Sequence, residues 1–364
     1  MELELNKIEK VVFALLKMAL HNHTNSDIDW QNITHEEWNQ CYYLSAQHGV
    51  MALVWDGIQL IADKCDLPRN LKLKWAVAVL KYEEKYEKYC ETAANLSSFF
   101  EQHGIEMLQI KGVGFSSYYP IPSHREGGDI DIFTYSSNRE KLSDIEANNW
   151  ANSLMAEQGI KVDTAHQKHS NFTYNNIPIE NHKTFVNIYT TSIGASVNEL
   201  LLKIMQPQIV ELCQNKYLIK TPSAPFNALF LSFHSAQHFG IGIQIHHLFD
   251  WACLLKKEGW CLPEQIKDKR FLNFIYGMTY LSNILLGTNV VINGSASMVK
   301  SIYEQMMHSP YSEKIPVKGN WSVFCYKLKR MIYAYKMMKK VFDITFFRMI
   351  NNSIQFHLNK CFSR

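Results

Sequence analysis

The stretch Gly127-Gly128-Asp129-Ile130-Asp131-Ile132-Phe133 constrains this chain more than any other. Alternation at period two reads as a strand, with Ile130 and Ile132 on one face and Asp129 and Asp131 on the other. Acids are poor strand formers, and like charges on one face repel. Such a strand can bury its isoleucines, but its acidic face needs either water or a cation. A solvated sheet edge meets the first condition. A hard divalent ion meets the second, because it wants clustered oxygen ligands and cancels their repulsion.

The flanking sequence favours the cation. IEMLQI (105–110) is a short apolar run followed by Lys111-Gly112 and GFSSYY. A loop with Pro120, Pro122 and Arg125 leads to the acidic strand. Downstream, HSNFTYNNIPIENHKTF (169–185) reads as a hairpin around Asn175-Asn176, two residues that tolerate positive φ. A third acid, Glu180, sits on its second arm, and pairing of that arm beside the acidic strand would put three carboxylates on one face. Three carboxylates can hold two Mg²⁺ ions, the arrangement that clamps the attacking and leaving oxygens of an in-line phosphoryl displacement.

Helical patterns enclose this segment. KIEKVVFALLKMAL has apolar residues at helical spacing, and Thr34 followed by Glu36 and Glu37 marks the start of a second helical stretch running through DGI. Residues 70–104 form a long periodic stretch ending at Gly104, and 138–159 another ending at Gly159. From about 195 onward the pattern is helical again. The expected architecture is α+β: a helical region over 1–103, a small mixed-sheet core over 104–192, and a helical domain with a basic amphipathic tail over 193–364.

Composition excludes several classes. With 364 residues, 47% of them hydrophobic and 20% charged, the chain can build a large core. A net charge of +3 is too mild to indicate nucleic acid. Eight cysteines without a CxxC pair read as reduced thiols rather than a disulfide or zinc framework. The acidic start MELELNKIEK lacks a signal-peptide core, and no apolar run approaches the ~20 residues of a membrane span. The expected location is the cytoplasm, with peripheral contact at the inner membrane surface as an extension.

Together, IKGVGFSSYYP, HREGGDIDIF and IPIENH resemble uncharacterised bacterial nucleotidyltransferases of the DNA polymerase β superfamily. The matching positions are Lys111, Gly112, Arg125, Asp129, Asp131, Glu180 and His182, and the resemblance runs over roughly 40–290, including Asp250 after a histidine-bearing helix. Two positions depart from the usual pattern: Val113 follows Gly112, with serines only at 116–117, and Asn181 stands where an apolar residue is typical. The resemblance implies a polymerase β-like core and transfer of a nucleoside monophosphate from a nucleoside triphosphate, with release of pyrophosphate. It implies Asp129, Asp131 and Glu180 as catalytic ligands of Mg²⁺ or Mn²⁺. It also implies Lys111, Gly112, Ser116, Ser117, Arg125 and Gly128 around the nucleotide, with Arg125 suited to bidentate phosphate contact. The favoured acceptor is a hydroxyl on a small molecule or protein. The alternatives are transfer to RNA, against which the modest charge argues, and a nucleotide sensor that has lost catalysis.

Two further features need assignment. His234 and His238 are i, i+4 on one helix face, with His246, His247 and Asp250 nearby. This set lacks the glutamate of HExxH and any cysteine pair, so it reads as core or cleft lining, together with His182, rather than a zinc site. Residues 321–364 hold nine Lys/Arg and one acid, Asp343. Trp321, Phe324, Leu328, Met331, Tyr335, Met338, Phe342 and Phe346 recur at steps of three or four. This reads as a helix packed on the body with a solvated basic face; an anionic membrane surface, nucleic acid or an acidic partner is the alternative.

Overall fold

The computed structural model describes residues 3–24, 27–138, 142–310 and 320–345. Four helices precede the first strand: α1 (Lys7–His21), α2 (His35–Gln47), α3 (Met51–Gln59) and α4 (Arg69–Gln102). Capping boxes fix the first two starts, Asn6 with Glu9 and Thr34 with Glu37. The stretch read as one helix from Thr34 is two, because Gly49 takes φ +66° and turns the chain between α2 and α3. Gly104 ends the long helix at φ +74°, as its position suggested.

The α/β segment then follows as β1 (Glu106–Gln109), a 3₁₀ turn over Gly112–Tyr118, β2 (Ile130–Tyr135), α5 (Asp144–Glu157), β3 (His169–Tyr174) and β4 (Ile177–His182). Ser143 and Glu146 form the capping box of α5, so that helix starts later than residue 138; residues 139–141 lie outside the described residues. Asn175 and Asn176 take φ values of 50° and 61°, the mirror-image turn that matches strand twist. The sheet order is β1-β2-β4-β3. β2 lies antiparallel to β1 and parallel to β4, with Asp131 paired to Glu180.

Alternation gives the sheet two different faces. Ile130, Ile132, Ile177, Ile179 and Phe172 pack with Ala93, Leu96 and Phe100 of α4 and Ala151, Leu154 and Met155 of α5. The opposite face carries Asp131, Glu180 and His182 near one end and Phe133 farther along, its ring tilted at 38° against Phe185 at a centroid distance of 4.3 Å. Phe185 in turn meets Phe226.

Beyond the sheet come α6 (Gly194–Ile204), β5 (Gln208–Leu212), β6 (Tyr217–Thr221), α7 (Ala224–His238), α8 (Ile245–Glu258), α9 (Lys269–Leu286), α10 (Val299–Met307) and α11 (Asn320–Val341). The β5–β6 hairpin interrupts the region read as helical from about 195 onward. Its turn uses Cys213, Gln214 and Asn215, all at positive φ, without the glycine that would have signalled it. Leu212 and Ile219 complete the core beneath the first sheet. The C-terminal stripe also packs differently from the expectation. Ala334, Met338, Val341 and Phe342 are buried, whereas Trp321, Phe324 and Leu328 are exposed; Phe346 and the rest of the tail lie outside the described residues. No described helix is long and apolar enough to cross a membrane.

Asn181, the polar departure on β4, belongs to a buried ladder between α5 and the sheet. Thr134 donates its hydroxyl to Asn181 at 3.0 Å, and the Asn181 amide donates to Asn152 at 3.1 Å. Asn152 donates to Asn148 and Ser170, and Asn148 donates to the His182 carbonyl at 3.0 Å. Removing one member strands buried partners, and each loss costs about 1–3 kcal/mol. Asn181→Leu should therefore lower unfolding free energy by roughly 2–4 kcal/mol in urea titration. An unchanged midpoint would show that the ladder is not structural support for β4.

Candidate active site

The acidic cluster forms because the β2–β4 register brings Glu180 to Asp131 while Asp129, just before β2, enters from the same strand direction. One carboxylate oxygen from each of Asp129, Asp131 and Glu180 lies within 4.8 Å of the others. Asp129 and Asp131 open onto a cleft of about 280 Å³. Lys111, Gly112, Arg125 and Gly128 line it, with Gln47 and Gly49 from the α2–α3 turn and Gln244 and His246 from the start of α8. A Cβ at Gly128 would meet nothing within 4 Å, so the backbone there is open to close approach. Gly112 takes φ +57° and passes so close to β2 that a Cβ would lie 3.3 Å from the Asp129 carbonyl.

Histidines and lysines surround the acids. His182 Nε2 lies 3.1 Å from Asp131 Oδ1, and His169 Nδ1 lies 2.9 Å from Glu180 Oε2. His182 Nε2 is also 3.6 Å from Glu180. Lys111 Nζ sits 3.1 Å from His234 Nε2 on α7, so the helical half holds the lysine at the edge of the acids. The Gln109 amide donates to both the Asp131 and Lys111 carbonyls, tying that segment to β2.

This environment separates the carboxylates. Burial and the Asp131 charge push Asp129 up from its ordinary value. Burial alone would raise Asp131 as well, but Lys111 and the His182 hydrogen bond outweigh it and hold Asp131 down. Glu180 is lowered in the same way, by His169 and His182 against its burial. Burial depresses Lys168, whose charge is drawn back by Asp131 and Glu180.

The hydrogen bonding inside the cluster is incomplete. Asp131 Oδ2 is buried and has no hydrogen-bond partner among the described residues. An orphaned carboxylate oxygen beside two more carboxylates is a donor set that fits a hard divalent cation. The set His169–Glu180–His182 also converges, sharing Glu180, and His234–His238–His247 forms a third, nitrogen-only group. The last group faces the Lys111 ammonium rather than a carboxylate.

Several residues singled out from the sequence have partners other than a phosphate site would need. The Arg125 fork is engaged by Asp250, Nε to Oδ1 at 2.9 Å and a terminal nitrogen to Oδ2 at 2.8 Å. Tyr119 donates to the same carboxylate, and Phe115 and Tyr119 flank the guanidinium. Ser116 is buried, donates to the Val113 carbonyl at 2.6 Å and meets the Tyr86 hydroxyl. Ser117 accepts from Lys257 through its carbonyl. Neither serine lines the cleft with Asp129. Conversely, Gln109, Lys168 and His169 were not singled out. The hairpin turn alone could have found His169: pairing Tyr174 with Ile177 sets His169 opposite His182.

The histidines make the fold acid-sensitive. Burial pushes His48, His238 and His246 down to about 4, from an ordinary value of 6.5. Between those values the unfolded chain binds more protons than the folded one, so stability falls as pH drops from about 6.5 to 4 and gains nothing above 6.5. Thermal midpoints should decline across that window, and His238→Asn should flatten the decline. A midpoint independent of pH there would contradict neutral buried imidazoles.

Searches of curated proteins and of solved structures give no match. A family model described as "Uncharacterised nucleotidyltransferase" matches residues 34–287, a span that takes in the acidic cluster, Lys111, the α2–α3 turn and the α7–α8 histidines. The chain therefore belongs to that nucleotidyltransferase family.

Proposed function

We propose that the protein moves a nucleoside monophosphate from a nucleoside triphosphate to a hydroxyl of a small molecule or protein acceptor, with pyrophosphate leaving. The carrying observation is the convergence of the Asp129, Asp131 and Glu180 oxygens beside an open cleft, with one buried Asp131 oxygen unbonded. These three carboxylates would hold Mg²⁺ or Mn²⁺. When bound, such ions neutralise charge developing on the phosphate oxygens.

The chain's own groups then have distinct tasks. The acceptor oxygen forms its bond to the α-phosphorus as the bond to pyrophosphate breaks, and the hydroxyl proton leaves to a site carboxylate. Lys111 supplies positive charge at the cleft edge, and His234 fixes its position. Gly112 and Gly128 let backbone approach the triphosphate without side-chain interference. Glu180, held ionised by two histidines, suits the role of cation ligand better than that of proton acceptor. His182 orients Asp131 and His169 orients Glu180. Arg125, committed to Asp250, positions the loop entering β2 rather than gripping phosphate; Ser116 and Ser117 have no part in this reading.

The test is pyrophosphate release from each of the four nucleoside triphosphates with Mg²⁺ or Mn²⁺, with cell extract supplying acceptors. Asp131→Asn, which keeps the shape of the side chain, should lower the rate on the order of a thousandfold while the protein remains folded by circular dichroism. Full release by that folded variant would overturn the assignment. Metal-dependent nucleotide binding without release from any extract would replace it with a nucleotide sensor.

A further inference from the structure

Helix α11 is anchored by one face only. Ala334, Met338 and Val341 are 5%, 8% and 0% exposed. A Cβ at Gly240, in the α7–α8 turn, would lie 2.5 Å from Met337 Cβ, so the helix rests directly on that turn. Arg330 adds a hydrogen bond to the Ile241 carbonyl at 3.2 Å. The face turned away carries Trp321, Phe324, Leu328 and Ile332, which are 76%, 54%, 39% and 38% exposed. Single exposed apolar side chains are ordinary, but these four fall at i, i+3, i+7 and i+11, a continuous row along one side of the helix.

The charge beside this row is one-sided. Residues 320–341 contain six Lys/Arg and no Asp or Glu, although the whole chain balances 37 basic against 34 acidic residues. Lys336 and Lys339, four and seven positions beyond Ile332, continue the outward face and are exposed, as are Lys327 and Lys329. The helix thus presents a row of large apolar groups bordered and continued by ammonium groups.

We propose that this face of α11 lies in the interface of an anionic lipid bilayer. The apolar row would enter the boundary between headgroups and acyl chains, with Trp321 at headgroup level and the lysines on lipid phosphates. Both halves of the surface are used by this occupant. A second copy would bring two acid-free cationic helices together, and a nucleic acid would use the lysines while leaving Leu328 and Ile332 in water. The helix lies in the plane of the surface, because no described helix meets the requirement for a span. This inference does not depend on the proposed transfer reaction.

Flotation of the full chain with vesicles tests it. Vesicles of mixed phosphatidylglycerol and phosphatidylcholine should retain the protein at low salt, and pure phosphatidylcholine vesicles should not. Each lysine near an anionic surface strengthens partitioning roughly fivefold, so the triple variant Lys327→Glu/Lys329→Glu/Lys336→Glu should lose about a hundredfold or more. The quadruple variant Trp321→Ser/Phe324→Ser/Leu328→Ser/Ile332→Ser should lose at least about tenfold with an unchanged circular dichroism spectrum. Absence of wild-type binding to anionic vesicles would overturn the proposal, as would binding that neither variant weakens. Retention of poly(U) without retention of vesicles would assign the face to nucleic acid instead. A wild-type dimer that the quadruple variant converts to monomer would assign it to a second copy.

Discussion

The parallel pairing of β2 with β4 is the constraint on which the site depends. It places Asp131 beside Glu180 on one face while Ile130 and Ile179 meet on the other. The pairing is held from behind by the Thr134–Asn181–Asn152–Asn148 ladder, which ends on the His182 carbonyl. A one-residue slip would carry the acids into the apolar core and the isoleucines into the cleft. Register and site are therefore the same structural fact: the residues that fix one assemble the other.

Bringing three carboxylates together is unfavourable, and the protein answers it from several elements. β3 contributes His169, β4 contributes His182, the segment after β1 contributes Lys111, and α7 holds that lysine through His234. The result is uneven, with Asp129 raised and Asp131 and Glu180 lowered. The unbonded Asp131 oxygen is the part of the problem these groups leave unsolved, and it marks where a cation would complete the set. The helical regions do more than flank this arrangement. α2–α3 and α8 form one side of the cleft, and Asp250 of α8 pins the loop that leads into β2 by its bidentate bond to Arg125.

Much of this was legible in the residues. Period-two alternation gave the faces of β2, the paired asparagines gave the hairpin, and hairpin plus strand gave the shared carboxylate face. Long-range partners were not legible. Arg125 read as a phosphate ligand because sequence shows an available fork and cannot show that Asp250, 125 positions on, occupies it. Ser116 looked like part of a phosphate turn, but the 3₁₀ geometry points its hydroxyl back to Val113. The β5–β6 hairpin escaped because three consecutive non-glycine residues take left-handed conformations that the local sequence does not announce. The apolar spacing of α11 was visible, whereas which end of that row the body covers depends on where the helix emerges from it.

The central claim is that Asp129, Asp131 and Glu180 form one cation site. The most direct measurement is a Mn²⁺ titration followed by electron paramagnetic resonance, on the wild-type chain and on Asp131→Asn, Glu180→Gln and His238→Asn variants. The account predicts that wild type binds Mn²⁺, that a nucleoside triphosphate tightens the binding, that the two carboxylate variants each weaken it, and that His238→Asn leaves it intact. Binding that survives both carboxylate substitutions but fails in His238→Asn would move the cation to the α7–α8 histidines and contradict the account.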